Sequence, residues 1–93
     1  MTSPALILVV DDDDAARLSL QALLEASGYR VKAYAGGQAC LDDAGTGAGC
    51  LVTDIRMPGM DGLALQAEIS QNHPALPVIF VTGHGDISLA VRG

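Results

Sequence analysis

A continuous aliphatic run, Ala5–Val10, ends abruptly in four consecutive aspartates, Asp11–Asp14. Its length is typical of a strand, and the absence of apolar–polar alternation indicates a strand that is covered on both faces. Strands of this kind occur in parallel sheets that have helices on both sides. The sequence therefore predicts an α/β domain whose first strand ends in a group of carboxylates.

Further strand-like and helix-like segments alternate along the chain, as in an open parallel sheet. A first helix is expected between Asp14, its N-cap, and Gly28, because the apolar residues between them have helical spacing. The last predicted helix begins at Asp86, after a turn that contains two glycines. The strands and helices in between are expected at Tyr29–Tyr34, Gln38–Ala44, Cys50–Thr53, Asp61–Gln71 and Val78–Val81.

Composition limits the number of domains and the class of function. The chain has 93 residues, 49% of them hydrophobic, which suffices for one domain with a single core. The formal charge of −6 argues against direct nucleic-acid binding by this chain, because phosphate contacts need basic residues. No apolar run reaches the ~18–20 residues of a membrane span and no secretory signal is recognised, so a cytoplasmic protein is expected. Cys40 and Cys50 have neither metal-site nor redox-pair spacing, which predicts reduced thiols.

Polar residues follow three of the predicted strands. Asp11 and Asp12 follow the first strand, Asp54 the third and Thr82 the fourth. Because the carboxyl ends of parallel strands lie at one edge of the sheet, we expect these side chains to converge there. Clustered carboxylates repel one another unless a cation compensates, and Mg²⁺ is the expected cation. An aspartate beside Mg²⁺ can attack phosphorus to form an acyl phosphate, while the Thr82 hydroxyl donates to a phosphoryl oxygen.

Each of these residues, taken alone, also has a simpler interpretation. Asp11–Asp14 is compatible with a solvated loop and a helix cap, and Asp54 with the beginning of a turn. Thr82 is compatible with an ordinary β-branched strand residue. Their occurrence at three strand ends of one sheet edge favours the functional interpretation.

The strand ends and the turns that follow them resemble those of bacterial response-regulator receiver domains. The resemblance extends over almost the whole chain, from Ala5 to Arg92, and its last motif is similar to the FixJ- and NtrC-like branches in particular. The motifs that carry the resemblance are Val9–Asp12, Asp54–Gly62 and Val81–Asp86.

The resemblance implies a role for each matching residue. Asp54 would accept the phosphoryl group from a sensor histidine kinase, and the Thr82 hydroxyl would turn toward that group as a switch. Asp11, Asp12 and Asp54, together with the backbone carbonyl of Arg56, would bind Mg²⁺. The family implies a phosphoacceptor rather than an enzyme, with at most self-phosphorylation and self-dephosphorylation. Phosphorylation would shift the domain between two conformations and so control an output, expected by analogy to be transcription.

The resemblance also implies an α/β fold with a doubly wound parallel sheet in the flavodoxin- or CheY-like strand order 2-1-3-4. Residues 1–93 would form an incomplete receiver domain that ends near the start of the fourth helix, without the fifth strand and fifth helix. The family's functional lysine has no counterpart, since the single lysine is Lys32 in the second predicted strand. The fourth strand would then be an exposed edge, available for a homodimer or a domain swap.

Two other functions are compatible with the same residues. Without the family's lysine, the acidic pocket could bind Mg²⁺ and serve only as an interaction or assembly module. A phosphatase of the haloacid-dehalogenase type would use Asp11 as nucleophile and Asp13 as acid, but Ala15 stands where a Thr or Val is normal. Modification of Asp54 by a phosphodonor would exclude the first alternative, and turnover of a generic phosphate ester would favour the second.

Overall fold

The computed structural model describes residues 5–43, 48–81 and, for the backbone, 87–90. Strands and helices alternate through most of this part of the chain. None of the helices in these ranges is both long and apolar enough to span a bilayer. In chain order the elements are β1 (Leu6–Val10), α1 (Asp14–Ala26), β2 (Arg30–Tyr34), α2 (Gly37–Asp43), β3 (Ala48–Asp54), α3 (Gly62–Asn72), β4 (Val78–Val81) and β5 (Ile87–Ala90).

The strands form one sheet in the order β2-β1-β3-β4-β5. β1 pairs in parallel with β2 on one side and with β3 on the other, and β3 pairs in parallel with β4. The predicted α/β class and the predicted order 2-1-3-4 of the parallel strands are therefore confirmed. Because the chain adds strands first on one side of β1 and then on the other, the topological switch point lies between β1 and β3. Sheets of this class bind their ligands at that point, beyond the carboxyl ends of the strands.

The segment after β4 differs from the prediction. Ile87–Ala90 forms a strand antiparallel to β4, with Ile87 opposite Val81, so the helix predicted from Asp86 is wrong. The outer edge of β4 carries backbone N–H and C=O groups that need partners, and the alternating Ile-Ser-Leu-Ala sequence suits a strand. The fourth-strand edge that was expected to be exposed, and to allow a homodimer or domain swap, is consequently occupied by the chain's own β5.

Alternate strand residues point to opposite faces of the sheet, which divides the core into two parts. Helices α2 and α3 cover one face, and α1 covers the other. The buried apolar side chains on the α2–α3 face are Leu8, Val10, Cys40, Leu51, Met57, Leu65, Ile69, Val78 and Phe80, and those on the α1 face are Ile7, Val9 and Val52.

The stripe of α1 that packs on the sheet is displaced from the one that its leucines predict. The spacing of Leu20, Leu23 and Leu24 predicts that all three share a buried face, but Leu23 is 63% exposed. Leu20 and Leu24 contact the core on this side of the sheet. They share a partly buried stripe with Arg17, at the spacing i, i+3, i+7. The sheet-facing side of α1 therefore includes a basic residue in its first turn.

Aspartates cap both long helices. The cap of α1 is Asp13, whose carboxylate accepts the Ala16 N–H at 2.9 Å, rather than the predicted Asp14. From sequence alone, Asp13 and Asp14 are equally suitable N-caps. In the structure Asp13 has the extended backbone conformation of an N-cap, whereas Asp14 is already helical. Gly28 ends the helix as predicted, with φ of +96°.

Helix α3 begins in direct contact with the end of β3. The Gly62 N–H donates to the Ile55 carbonyl at 2.8 Å. A Cβ atom at Gly62 would overlap with the carbonyl oxygen of Asp54 and lie 3.0 Å from the Ile55 Cα. The missing side chain therefore allows α3, with its cap Asp61, to approach the strand that carries Asp54.

We expect Gly62→Ala to lower the free energy of unfolding by about 1–3 kcal/mol, because the added methyl group must displace backbone atoms of β3 or α3. Gly36→Ala is the matched control, since no atom lies within 4 Å of a Cβ at Gly36. Urea unfolding followed by circular dichroism measures both variants. Equal stabilities would contradict the close approach of α3 to β3.

The two cysteines are free thiols, as predicted. Cys40 belongs to α2, and its side chain is fully buried in the core that α2 and α3 form with the sheet. Burial, and to a smaller extent the Asp43 carboxylate, raises the pKa of the Cys40 thiol to about 11. The folded chain therefore retains the Cys40 proton at pH values where the unfolded chain releases it.

This shift predicts a loss of stability at alkaline pH. As the pH rises from about 9, the ordinary value, to about 11, deprotonation increasingly favours the unfolded chain, and about 2 kcal/mol of stability is lost. Thermal unfolding measured across this pH range should show that the melting temperature falls less steeply with pH for Cys40→Ala than for the wild type. The same slope in both proteins would show that the thiol is not the titrating group.

Candidate functional site

Three aspartates meet at the carboxyl edge of the sheet. The register pairs Val10 of β1 with Thr53 of β3, so the next residues, Asp11 and Asp54, lie side by side on neighbouring strands. One carboxylate oxygen from each of Asp11, Asp12 and Asp54 lies within 4.8 Å of the other two. The three carboxylates that were predicted to converge at the carboxyl edge of the parallel sheet therefore do lie close together.

Asp11 is the most enclosed member of this cluster. It is 8% exposed, whereas Asp54 is half-buried and Asp12 is exposed. The Asp13 N–H donates to Asp11 Oδ1 at 2.9 Å. Burial raises the pKa of Asp11, the hydrogen bond from Asp13 opposes the rise, and the nearby Asp54 and Asp12 carboxylates add to it. A negative charge on Asp11 therefore costs free energy unless a cation compensates it.

The oxygen donors of the cluster suit a hard divalent cation. Mg²⁺ prefers oxygen ligands and commonly binds one or two carboxylates, with water and phosphate in the remaining positions. Ligands of one Mg²⁺ lie about 3–4 Å apart, so oxygens within 4.8 Å of one another need to move little to share an ion. The three aspartates therefore fit Mg²⁺ both by donor type and by spacing.

Arg56 and Thr82 are the other two residues predicted for the site, and the structure does not test the role predicted for either. Arg56 is exposed in the loop between β3 and α3, where it lines a shallow depression next to the cluster's strand. The role of its backbone carbonyl stays a prediction. Thr82 lies outside the described residues; it directly follows Val81, which pairs with Asp54. Its role as a switch hydroxyl also stays a prediction.

Arg17 forms a hydrogen bond to the backbone of Asp11 that could not be predicted from the sequence. Its Nη1 donates to the Asp11 carbonyl at 2.8 Å, and its Nη2 donates to the Asp14 carboxylate at 2.5 Å. The i, i+3 spacing of Asp14 and Arg17 is a recognisable signal for the ion pair. No comparable signal exists for the bond to a main-chain carbonyl, because that bond depends on the path of the loop.

The single lysine and the acid of the phosphatase alternative both make contacts outside the cluster. Lys32, on the edge strand β2, lies 4.0 Å from the Asp43 carboxylate, which also accepts the Tyr34 hydroxyl at 2.6 Å. The Asp13 carboxylate, the acid of the dehalogenase-type alternative, caps α1 by accepting the Ala16 N–H through Oδ2. Among the described residues, Asp11, Asp12 and Asp54 are the acidic side chains that lie close enough together to share a metal ion.

Known proteins match both the sequence and the fold. Residues 7–93 match the response regulator receiver domain family. The transcriptional regulatory protein FixJ of Azorhizobium caulinodans is 51% identical over 90% of this chain and 40% of its own length. Response regulator StyR superposes with a TM-score of 0.80 at 37% identity, over 95% of this chain and 45% of its own. TrrA from Thermotoga maritima, in complex with Mg²⁺-BeF, superposes with a TM-score of 0.79 at 31% identity, over 86% of this chain and 72% of its own.

The chain spans less than half the length of FixJ and of StyR. The family match nevertheless covers nearly all of the chain, and NtrC of Klebsiella pneumoniae is also 45% identical over 89% of it. The strand order and the position of the acidic cluster agree with this assignment. The chain therefore belongs to the response regulator receiver domain family, in its FixJ/NtrC-like branch.

Proposed function

We propose that this receiver domain is a phosphoacceptor, in which Asp54 receives a phosphoryl group with the help of bound Mg²⁺. The observation that supports this proposal best is the meeting of Asp54 with Asp11 and Asp12, within 4.8 Å, at the switch point of the sheet. An isolated aspartate at a strand end needs no cation, but three converging carboxylates do. The half-buried Asp54 combines a fixed position with access for a phosphodonor.

The transfer needs a carboxylate nucleophile and compensation of the phosphoryl charge. An Asp54 oxygen would bond to phosphorus while the bond from phosphorus to the donor breaks, and the leaving group would keep that electron pair. Bound Mg²⁺ would neutralise charge on the phosphoryl oxygens. Asp11, Asp12, Asp54 and the Arg56 carbonyl would hold the ion, and the Thr82 hydroxyl would donate to a phosphoryl oxygen. The product is an acyl phosphate on Asp54.

The relatives support a proposal for the donor and the output. A sensor histidine kinase is the proposed donor, and the TrrA complex with Mg²⁺-BeF supports a metal-assisted site. FixJ is a transcriptional regulatory protein, so we propose control of transcription as the output and a cytoplasmic location. The acidic chain itself, with a formal charge of −6, is suited to a protein partner rather than to nucleic acid.

Phosphorylation of the wild-type chain should add one phosphoryl group, and Asp54→Asn should abolish the addition. The chain is incubated with Mg²⁺ and a small phosphodonor such as acetyl phosphate, and the product is measured by intact-protein mass spectrometry. Asp61→Asn is the matched control, because Asp61 is an exposed acid near the cluster and Asn is an equally good helix cap. Phosphorylation that persists in Asp54→Asn would place the acceptor elsewhere. A wild type that binds Mg²⁺ but is never modified would favour the interaction-module alternative.

Magnesium should stabilise the fold, and its removal by EDTA should reverse the effect. An ion at a hundred times its dissociation constant adds about 2.7 kcal/mol if it binds only the folded state. In metal-free buffer at neutral pH, Asp11→Asn should instead raise the melting temperature. The folded pKa of Asp11 is raised, so its ionisation above the unfolded pKa destabilises the fold, and Asn removes that charge.

The two effects of Asp11→Asn have opposite signs, which separates them from a general loss of stability. The variant should gain stability without Mg²⁺ and lose most of the Mg²⁺-dependent gain. Glu25→Gln is the charge-matched control, because Glu25 lies at the far end of α1 and should leave the Mg²⁺ response unchanged. An equal Mg²⁺-dependent rise in melting temperature in all three proteins would exclude the cluster as the binding site.

A further inference from the structure

We propose that Arg17 is a positioning residue for the acidic site: its guanidinium holds the loop between β1 and α1 in the conformation in which Asp11 and Asp12 bind Mg²⁺. The inference rests on the proposed Mg²⁺-dependent function and deepens it. It assigns a role to a side chain that the phosphoacceptor chemistry itself does not use.

The guanidinium joins the end of β1 to the first turn of α1. Nη1 donates to the main-chain carbonyl of Asp11 at 2.8 Å, while Nη2 donates to the Asp14 carboxylate at 2.5 Å. The Arg17 side chain is only 16% exposed, although its partner Asp14 is 82% exposed. The planar, multi-donor guanidinium can make both bonds at once, which a single ammonium group cannot do in the same geometry.

These bonds hold Asp11 from two sides. Its carboxylate accepts the Asp13 N–H at 2.9 Å, and its carbonyl accepts the Arg17 guanidinium. Asp12 lies between these fixed positions in the chain, so the same contacts orient its backbone. A charged donor makes the stronger kind of hydrogen bond to a carbonyl. Without it, repulsion among the three carboxylates would be opposed at this loop mainly by the Asp13 bond.

A positioning role and a purely electrostatic role of Arg17 predict opposite changes in Mg²⁺ affinity when its guanidinium is removed. A positive charge near three carboxylates repels Mg²⁺, so its loss should strengthen Mg²⁺ binding by Coulomb's law alone. Loss of the bond to the Asp11 carbonyl should loosen the loop and weaken Mg²⁺ binding. The sign of the change in affinity therefore identifies the dominant role of Arg17.

The first test compares Mg²⁺ affinities by isothermal titration calorimetry. Arg17→Met retains most of the aliphatic part of the side chain, and we expect it to weaken Mg²⁺ binding about 10-fold, the usual order for residues that support metal ligands. Arg30→Met removes the same charge from an exposed position on β2 and should bind Mg²⁺ like the wild type. Asp14→Asn should also have little effect, because an exposed ion pair contributes little.

The second test needs no metal. Amide hydrogen exchange of Asp13 in metal-free buffer reports the bond from its N–H to the Asp11 carboxylate. This exchange should become faster in Arg17→Met and stay unchanged in Arg30→Met. Arg17→Lys, which keeps the charge but replaces the planar guanidinium by a single ammonium group, should restore both the exchange protection and the Mg²⁺ affinity in part.

Phosphorylation provides a third readout. With acetyl phosphate as donor, Arg17→Met should be modified slowly at limiting Mg²⁺ and approach the wild-type rate at saturating Mg²⁺. A rate that stays low at saturating Mg²⁺ would contradict a role that acts through the metal ligands.

The outcomes separate this inference from the proposed function. Unchanged or tighter Mg²⁺ binding in folded Arg17→Met overturns the positioning role while leaving the phosphoacceptor proposal intact. A wild-type chain that does not bind Mg²⁺ overturns the proposed function, and with it the role of Arg17 toward the ion. If circular dichroism shows that Arg17→Met is unfolded, Arg17→Gln takes its place, and binding as tight as in the wild type overturns the inference.

Discussion

The parallel register between β1 and β3 is the constraint on which the acidic edge depends. Val10 lies opposite Thr53, so the residues that leave the two strands, Asp11 and Asp54, are adjacent. A shift of one residue would move a side chain by about 3.3 Å along the strand and turn it to the other face. Such a shift would exchange the side chains that the helices on the two faces pack against, because alternate residues of β1 are buried on both faces of the sheet. The hydrophobic effect thus maintains an arrangement that carboxylate repulsion opposes.

Two of the helices that begin at this edge, α1 and α3, complete the arrangement through their first turns. Asp13 caps α1 and, through its own N–H, binds the Asp11 carboxylate. On the other side of the cluster, Gly62 lets α3 start against the backbone of β3. The ends of both strands are therefore held by side chain–backbone and backbone–backbone hydrogen bonds. Asp11 and Asp12 lie on a short loop and Asp54 is the last residue of β3, and the neighbouring helix starts restrict the positions of all three.

The sequence predicted those features that depend on periodicity and on parallel topology. Aliphatic runs located β1, β3 and β4, and the common carboxyl edge then required Asp11, Asp12 and Asp54 to converge. The prediction from sequence was wrong where a short segment is compatible with either a helix or a strand. Ile87–Ala90 suits a helix start or a strand, and the unpaired edge of β4 decides the outcome. In the same way, only the path of the loop shows that Asp13 caps α1 and that Arg17 reaches the Asp11 carbonyl.

The direction of the Arg17 side chain explains how a basic residue can lie beside the cluster without replacing the cation. Its hydrogen bonds go to the Asp11 carbonyl and to Asp14, which points away into solvent. A guanidinium bound directly to the Asp11 or Asp54 carboxylate would neutralise the charge that is expected to attract Mg²⁺ and occupy the oxygens that are proposed to coordinate it. Bound to the main chain instead, the guanidinium does not occupy the carboxylate oxygens of Asp11. The pKa of Asp11 is raised mainly by burial, and the Asp54 and Asp12 carboxylates add a smaller contribution. The proposed binding of a divalent ion would relieve both the cost of burying the Asp11 charge and the repulsion among the carboxylates, and would therefore couple the stability of the edge to occupation of the site.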